Sequence, residues 1–383
     1  MRIGIEGQRL FRPKKHGMDF VTLELVKNIQ LLDQENEYVV FIKPDEDVCL
    51  RSTGNMTIIG LGGGPYPTWE QNALPHAVKK YKCDLLHCTS NTAPLFNPVP
   101  MIVTLHDIFY MENVSLFNKG FSAYQKFGNM YRRYIVPGVV KRAKRIITVS
   151  KSEKNRILHF FHLKNEKVSV VYNGVSLNFK PVTDVKTLDE IRLKYNLPEH
   201  FIFFLGNTDP KKNTPGVLTA FAKYIRETSD QIPLVIADYP QPDLERTLQE
   251  IHEPDIIQYI HRLDYVKNAD LPGIYTMAAL FLYPSFRESF GIPILEAMSC
   301  GTPVITSNVF SMPEVAGKAA VLVDPTNPYD LARSIHRVLT EPEFSKSLSE
   351  KGLEQTTRFS WAKMAKEYMD IYKEIVEQIS RQT

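Results

Sequence analysis

The chain has 383 residues, of which 43% are hydrophobic and 23% are charged, and its net charge is +3. This composition is ordinary for globular proteins, excludes a wholly disordered, collagen-like or coiled-coil chain, and the length predicts two or three domains. No apolar run approaches the roughly 18 residues that a membrane-spanning helix needs. The first residues also lack the apolar core of a secretory signal. We therefore expect a cytoplasmic protein whose four scattered cysteines are packed thiols.

The positive charge is concentrated in the first half of the chain. Residues 1–180 carry 25 Lys+Arg and 15 Asp+Glu, whereas residues 181–383 carry 21 and 28. Between Glu112 and Glu153 there are nine cations and no acidic residue. Such a segment attracts phosphates, anionic lipid headgroups or nucleic acid. Six aromatic residues from Phe117 to Tyr134 recur there at helical spacing, which predicts either a buried face or one that meets lipid or an acceptor.

Short β-rich runs alternate with helical patterns along the chain. The predicted strands of the first half are RIGIEG, EYVVFI, NMTIIGL, DLLHCTS, MIVTLHD, RIITVS and KVSVVYN, with a helix at 19–32. Those of the second half are FIFFLG, PLVIAD, IIQYIHR, ALFLYPS, TPVITS and AAVLVD, with helices at 215–228, 240–251, 270–277, 293–299 and 328–339. The alternation predicts α/β architecture with parallel sheets covered on both faces. Its repetition predicts two doubly wound domains joined near 178–197. A last helical pattern from Trp361 can pack back on the first domain.

The segment FLYPSFRESFGIPILEAMSCGTPVITS, at 281–307, carries the strongest chemical signal. A strand ends near Pro284, and a short helix begins near Pro293. Glu288 precedes this helix and Glu296 lies within it. An open helix N-terminus offers amides and a positive dipole end to a phosphate, and a carboxylate can accept two hydrogen bonds from a vicinal diol. The spacing alone equally allows a helix-terminal charge and a surface glutamate.

This segment resembles the signature of retaining glycosyltransferases of family 4, which have the GT-B fold. Further segments that match in family order are VTLHD, ITVSKSEK, YNGV, LGNTDPKKN, SMPEVAG and FSWAKMA. The resemblance implies two facing, doubly wound Rossmann-like domains with a C-terminal helix that crosses back to the first. Residues 1–180, with about 365–383, would form the acceptor-side domain. Residues 190–364 would bind the nucleotide sugar.

The resemblance also implies roles for the residues of the glutamate segment. Glu296 would hold the ribose hydroxyls of the donor. Glu288, together with backbone amides around Phe290 and Gly291, would hold the donor sugar. Lys212 would contact the diphosphate and stabilise the charge that develops on the leaving phosphate.

Other donor-site residues are implied by position. Lys211 stands beside the phosphate-binding lysine, although the pair could also be a solvated basic turn. His106, at the end of a predicted strand, would meet the sugar as a catalytic residue, although a lone histidine is more often structural. Gly17 would let the backbone approach the phosphates, although it could be an ordinary loop glycine. Asn207 stands where many members have an arginine, and Ser289 where they commonly have a glycine.

The implied activity is transfer of a hexose from a UDP- or GDP-sugar to a hydroxyl of a glycan or lipid-linked acceptor, with retention of anomeric configuration. The implied context is the synthesis of cell-surface polysaccharide such as lipopolysaccharide. No metal or other cofactor and no nucleic-acid partner is expected. The basic segment 113–152 predicts a peripheral contact with the anionic inner face of the membrane. A nucleotide-sugar epimerase of the same architecture is the alternative function.

Overall fold

A computed structural model describes residues 1–15, 17–112, 123–228 and 231–381, with only the backbone described for 123–126. The chain divides into two compact units. Unit 1 comprises Met1–Gly174 and Trp361–Thr383, and unit 2 comprises Val175–Ser360. The chain thus leaves unit 1 once and returns to it at the start of the last helix.

Unit 1 is built on a parallel sheet of seven strands. They are β1 (Arg2–Glu6), β2 (Glu37–Ile42), β3 (Met56–Gly60), β4 (Leu85–Cys88), β5 (Met101–Thr104), β6 (Arg145–Thr148) and β7 (Val168–Val170). Their order is β3-β2-β1-β4-β5-β6-β7, so the direction of winding reverses between β1 and β4. In open α/β sheets, ligands bind outside the carboxyl ends of the strands at such a reversal.

Unit 2 contains a second parallel sheet, of six strands. They are β8 (Ile202–Leu205), β9 (Leu234–Ala237), β10 (Ile260–Leu263), β11 (Leu280–Tyr283), β12 (Val304–Ser307) and β13 (Val321–Val323). Their order is β10-β9-β8-β11-β12-β13, which places the reversal between β8 and β11. The loops that follow these two strands carry the lysine and glutamate motifs of the sequence.

Helices cover the sheets. Those of the first part of the chain are α1 (Gly17–Leu32), α2 (Tyr66–Thr68), α3 (Leu74–Lys80), α4 (Ala123–Arg142) and α5 (Lys151–Phe161). Those of unit 2 are α6 (Val185–Tyr195), α7 (Thr214–Glu227), α8 (Gln241–Glu250), α9 (Leu271–Met277), α10 (Ile292–Ser299), α11 (Met312–Ala316), α12 (Pro328–Thr340) and α13 (Pro342–Thr356). The last helix, α14 (Trp361–Ser380), packs on α1 of unit 1.

A buried hydrogen-bond network fastens α14 to the sheet of unit 1. The hydroxyl of Tyr372 lies 2.8 Å from Nδ1 of His87, and Nε2 of His87 lies 2.8 Å from Oγ1 of Thr104. The hydroxyl of Tyr368 lies 3.0 Å from the same threonine oxygen. Burial lowers the pKa of His87 to about 3, so this imidazole is neutral at physiological pH.

The predicted pair of doubly wound parallel sheets, with a last helix returning to the first, is confirmed. One predicted strand was too long, because residues Pro254–Tyr259 form a 3-10 turn and β10 begins only at Ile260. Within the described residues, no helix is both long enough and apolar enough to cross a bilayer. The cysteines are free thiols, and three of the four are buried.

The described aromatic residues of the predicted face 117–134 keep their helical spacing on α4 but differ in exposure. Tyr131 is partly buried and its hydroxyl donates to Glu70 at 2.5 Å, whereas Phe127 and Tyr134 are 51% and 80% exposed. The difference arises because the hydroxyl of Tyr131 finds a buried carboxylate partner, which the helical spacing alone does not reveal. Phe117, Phe121 and the side chain of Tyr124 lie outside the described residues.

Candidate active site

The loop after β8 forms a compact turn that presents two lysines. Gly206 opens the loop, and a Cβ there would lie 2.9 Å from Ile236, so the close packing requires glycine. The side chain of Asn207 accepts from the amide of Asp209 at 2.8 Å, and Asp209 in turn caps the 3-10 turn Pro210–Lys212. Asn207 therefore acts here as a turn residue.

Two contacts join this loop to the loop after β11. The buried side chain of Asn213, whose φ is +58°, donates to the carbonyl oxygens of Pro284 and Pro325 at 3.1 and 2.8 Å. The amide of Phe286 donates to the carbonyl of Lys211 at 2.8 Å. These bonds hold the lysine motif against the glutamate motif at the reversal point of the sheet.

Lys212 and Glu288 are in direct contact. The ammonium of Lys212 lies 2.7 Å from Oε1 of Glu288 and 2.6 Å from the hydroxyl of Tyr283, the last residue of β11. An ammonium has three donors, so one remains after these two bonds. Burial and the nearby Glu288 carboxylate raise the pKa of Tyr283, so the phenol stays neutral. Lys211 instead faces Asp209 at 3.7 Å on the exposed side of the turn.

Three residues separate Glu288 from the N-terminus of α10. Gly291 precedes the helix with φ +96°, a conformation that favours glycine, and no side chain caps this end by a hydrogen bond. Phe290 is buried, and Ser311 donates to the carbonyl oxygens of Glu288 and Phe290 at 2.8 and 3.0 Å. The result is a fixed loop that leads into a helix N-terminus suited to bind an anion or a hydroxyl oxygen.

Glu296 lies on α10, in largely buried surroundings. The hydroxyl of Tyr275 donates to its Oε2 at 3.4 Å. Burial raises the pKa of Glu296 to about 7, and this hydrogen bond opposes the rise only in part. A carboxyl group held at such a pKa near neutrality marks a candidate functional position.

His106 lies in unit 1, in the loop after β5. Its backbone amide donates to Oδ1 of Asn91 at 2.6 Å, and its Nε2 lies 3.0 Å from the carbonyl oxygen of Thr89. Because a carbonyl can only accept, Nε2 carries the proton and Nδ1 is left as an acceptor. Burial lowers the pKa of His106. The imidazole is thus a neutral, oriented group at the carboxyl edge of this sheet.

The site residues predicted from sequence fall into two groups. Six lie together in unit 2, on the loops after β8 and β11 and on α10, and they are Asn207, Lys211, Lys212, Glu288, Gly291 and Glu296, with buried Phe290 beside them. His106 and Gly17 lie in unit 1. Gly17 is the first residue of α1, and a Cβ there would meet open space, so no protein atom demands a glycine at this position.

Sequence reasoning missed Tyr283, Asn213 and Ser311. Tyr283 ends a strand immediately before the glutamate loop, and this strand-end position was the signal that could have identified it. The hydrogen bonds made by Asn213 and Ser311 connect segments that are far apart in sequence, so no local sequence pattern predicts them. Among the residues that the structure describes, no group of three or more His, Cys, Asp or Glu side chains could hold a metal ion.

The fold is shared with solved glycosyltransferases. A sucrose-phosphate synthase from Thermosynechococcus elongatus superimposes with a TM-score of 0.75 at 20% identity, over 98% of this chain and 99% of that one. HepE from Anabaena, solved with UDP and glucose, gives a TM-score of 0.71 at 18% identity, over 97% of this chain and 99% of that one. The two doubly wound sheets thus have the GT-B fold.

The family follows from the sequence comparisons. The family described as glycosyltransferase family 4 matches residues 21–179, and that described as glycosyl transferases group 1 matches residues 187–355. Together the two matches span most of the chain and support a glycosyltransferase of the family 4 type.

Two curated relatives come from Escherichia coli. The O-antigen chain mannosyltransferase B is 33% identical over 60% of this chain and 61% of its own length. The serotype-specific mannosyltransferase WbdA is 31% identical over 59% of this chain and 28% of its own length. The chain therefore spans less than two thirds of either relative. Nothing in the comparisons favours an epimerase.

Proposed function

We propose that this protein is a retaining hexosyltransferase that uses a nucleotide diphosphate sugar. The observation that carries the proposal is the contact of Lys212 with Glu288 beside the open N-terminus of α10, the helix that also bears Glu296. These groups offer a cation, helix amides and two carboxylates, which suit a diphosphate, a sugar and a ribose. Unit 2 would bind the donor and unit 1 the acceptor.

Each side chain has a role in this proposal. Glu296 accepts hydrogen bonds from the ribose hydroxyls, and Glu288, with the amides near Phe290 and Gly291, orients the hexose. Lys212 binds the diphosphate and stabilises the charge that grows on it as the bond to the sugar breaks. Its neighbour Lys211 adds a weaker, exposed charge. His106 in unit 1 offers Nδ1 as an acceptor for a sugar hydroxyl.

Every bond change and proton transfer in the proposed reaction involves only the donor and the acceptor. The bond between sugar C1 and the diphosphate oxygen breaks, and the acceptor oxygen bonds to C1 on the same face. The proton of the acceptor hydroxyl passes to the departing phosphate oxygen. This front-face course needs no carboxylate nucleophile and retains the anomeric configuration.

The names of the relatives suggest the substrates. Because both are mannosyltransferases and one acts on an O-antigen chain, we propose a mannosyl donor, as UDP- or GDP-sugar, and a cell-surface glycan or its lipid-linked precursor as acceptor. A thermal-shift screen with UDP-, GDP- and ADP-sugars identifies the donor. A ligand at 100 times its dissociation constant stabilises a protein by about 2.7 kcal/mol, which such a screen detects readily.

Paired substitutions test the roles of the two glutamates. Glu296→Ala should chiefly weaken binding of the free nucleotide diphosphate, because its contact exists before and during the reaction. Glu288→Ala should chiefly lower kcat, because sugar positioning counts most in the transition state. Calorimetry and kinetics separate the two effects. Unchanged nucleotide affinity in Glu296→Ala would refute the ribose role.

A peripheral contact with the inner face of the membrane through 113–152 is the second part of the proposal. On the described part of this segment, α4 exposes Phe127, Met130 and Tyr134, and the exposed cations Lys141 and Arg142 end the helix. Each basic residue near an anionic leaflet contributes about 1 kcal/mol of attraction, and apolar side chains can enter the interface.

Co-sedimentation with vesicles of rising anionic lipid content tests this contact. We expect binding that increases with lipid charge, falls with salt, and weakens in Phe127→Ser/Tyr134→Ser. Leu193→Ser, at an 81% exposed position of unit 2, is the control. Binding that ignores lipid charge, or no binding at low salt, would refute the membrane contact and leave the transferase proposal standing.

A further inference from the structure

A groove with a strongly positive lining lies in unit 1, and none of the residues that line it belongs to the candidate active site. It has a volume of about 570 Å³, and six of its lining side chains are basic while two are acidic. The basic side chains are Lys141, Lys144, Arg145, His162, Lys164 and Lys167. We call this feature the basic groove.

The basic groove lies at the opposite edge of the sheet from His106. Arg145 is the first residue of β6, and Lys167 directly precedes β7. His106, in contrast, follows the carboxyl end of β5. Because all strands of this sheet are parallel, their starts and ends lie at opposite edges. The groove is therefore separate from the carboxyl-edge site of this unit.

Two cations are built into the groove rather than free in solvent. The Arg145 side chain, 14% exposed, donates to Ser169 at 2.9 Å and to Glu374 of α14 at 2.6 Å. The half-buried ammonium of Lys167 donates to the carbonyl of Ala143, just after α4. The fold thus fixes these two cations at the wall of the groove.

The remaining cations of the basic groove have few acidic side chains near them to balance their charge. Lys141, Lys144 and Lys164 are exposed, and the two acids that line the groove are Glu166 and Glu374, of which Glu374 already pairs with Arg145. Burial, with Lys144 and Arg145 nearby, lowers the pKa of Lys167. Clefts lined by one sign of charge concentrate counter-ions, and an anion bound here would relieve the repulsion among the lysines.

We propose that the basic groove is a binding site for a multiply charged phosphate group, distinct from the donor site. Lysine and arginine donors form their strongest hydrogen bonds with carboxylate and phosphate oxygens, and the convergence of five lysine and arginine side chains suits an ion with more than one negative charge. Soluble diphosphates and lipid headgroups both carry such a phosphate. The inference does not depend on glycosyl transfer.

Lysine acetylation read by mass spectrometry gives a local test on the whole protein. The probes are inorganic pyrophosphate and, separately, vesicles that contain phosphatidic acid. We expect either probe to protect Lys141 and Lys167 from acetylation, while exposed Lys346 and Lys351 of α13 are not protected. Protection by pyrophosphate identifies a soluble ligand, and protection by the vesicles alone identifies a lipid headgroup.

Two charge-reversal double variants show whether the basic groove itself binds the phosphate probes. In Lys144→Glu/Lys164→Glu, the probe concentration that halves acetylation of Lys141 and Lys167 should rise at least about tenfold. Thermal melting should show that the variant is folded. Lys346→Glu/Lys351→Glu, with the same change of charge, should behave as wild type. Protection of Lys212 by pyrophosphate reports the donor site and is independent of this pair. Absence of protection with both probes, or equal protection in the groove variant, would overturn the inference.

Discussion

Lys211 and Lys212 are adjacent in sequence, but their ammonium groups have different partners. Lys212 contacts Glu288 and Tyr283 in partly buried surroundings, and Lys211 faces Asp209 in solvent. Lys212→Ala should lower the transfer rate about 100-fold or more, as loss of a preorganised charge partner does. Lys211→Ala should cost much less. Equal losses in steady-state kinetics would show that the phosphate contact has been assigned to the wrong lysine.

Tyr283 orients the Lys212 ammonium without adding charge of its own. Tyr283→Phe removes the 2.6 Å contact and keeps the ring. We expect a loss of about tenfold in kcat, the worth of one hydrogen bond to a charged group, with little change in nucleotide affinity. Calorimetry with the nucleotide diphosphate is the control. A loss of affinity larger than the loss of kcat would contradict this role.

The raised pKa of Glu296 makes stability depend on pH. The folded carboxyl has a pKa of about 7 against 4.5 for the ordinary group, so the folded state holds the proton more tightly between these values. This contribution therefore destabilises the fold as pH rises from about 4.5 through 7. Its full size is of the order of 3 kcal/mol.

Glu296→Gln removes this titration. The difference in melting temperature between the variant and the wild type should be more positive at pH 8 than at pH 5. Glu350→Gln, at an exposed position of α13, controls for loss of a carboxylate. If both variants follow the wild-type pH profile, the carboxyl of Glu296 does not titrate near neutrality.

At the scale of elements, α10 depends on the conformation of Gly291. Its φ of +96° is unfavourable for other residues, and an added Cβ would lie 3.1 Å from Cδ1 of Ile294. Gly291→Ala should therefore cost about 1–2 kcal/mol from the backbone alone and displace the helix N-terminus. Gly54→Ala, where a Cβ meets open space, is the control. A Gly291→Ala variant with wild-type melting temperature and nucleotide affinity would refute this view of the helix start.

Sequence patterns predicted most strands because apolar runs bounded by turn residues leave little choice of structure. They failed at 256–259, where the apolar pair Ile256 and Ile257 lies in a 3-10 turn that begins at Pro254. They also left open whether the α4 aromatics are buried or exposed, because periodicity does not record that Glu70 accepts a hydrogen bond from the hydroxyl of Tyr131. The family resemblance implied roles for Lys212 and Glu288, but the contact that both make with Tyr283 depends on how the loop after β8 packs against the end of β11 and the loop that follows it.

At the scale of the whole chain, α14 closes unit 1 through buried polar contacts. Tyr372→Phe keeps the packing but leaves Nδ1 of His87 without its 2.8 Å partner. Leaving a buried polar atom unpaired costs about 1–3 kcal/mol, so we expect a lower melting temperature. Tyr329→Phe, at a 62% exposed position, should be neutral. Equal stability of the two variants would contradict a structural role for this network.

The most direct test of the central claim is the product formed from a nucleotide-activated hexose and a glycan acceptor. We expect release of the nucleotide diphosphate and a new glycosidic bond whose anomeric configuration, read by NMR, equals that of the donor. Lys212→Ala should form this product about 100-fold or more slowly, and Lys211→Ala should retain most of the rate. An inverted linkage, or conversion of the donor to an epimeric nucleotide sugar without a new glycosidic bond, would contradict the account.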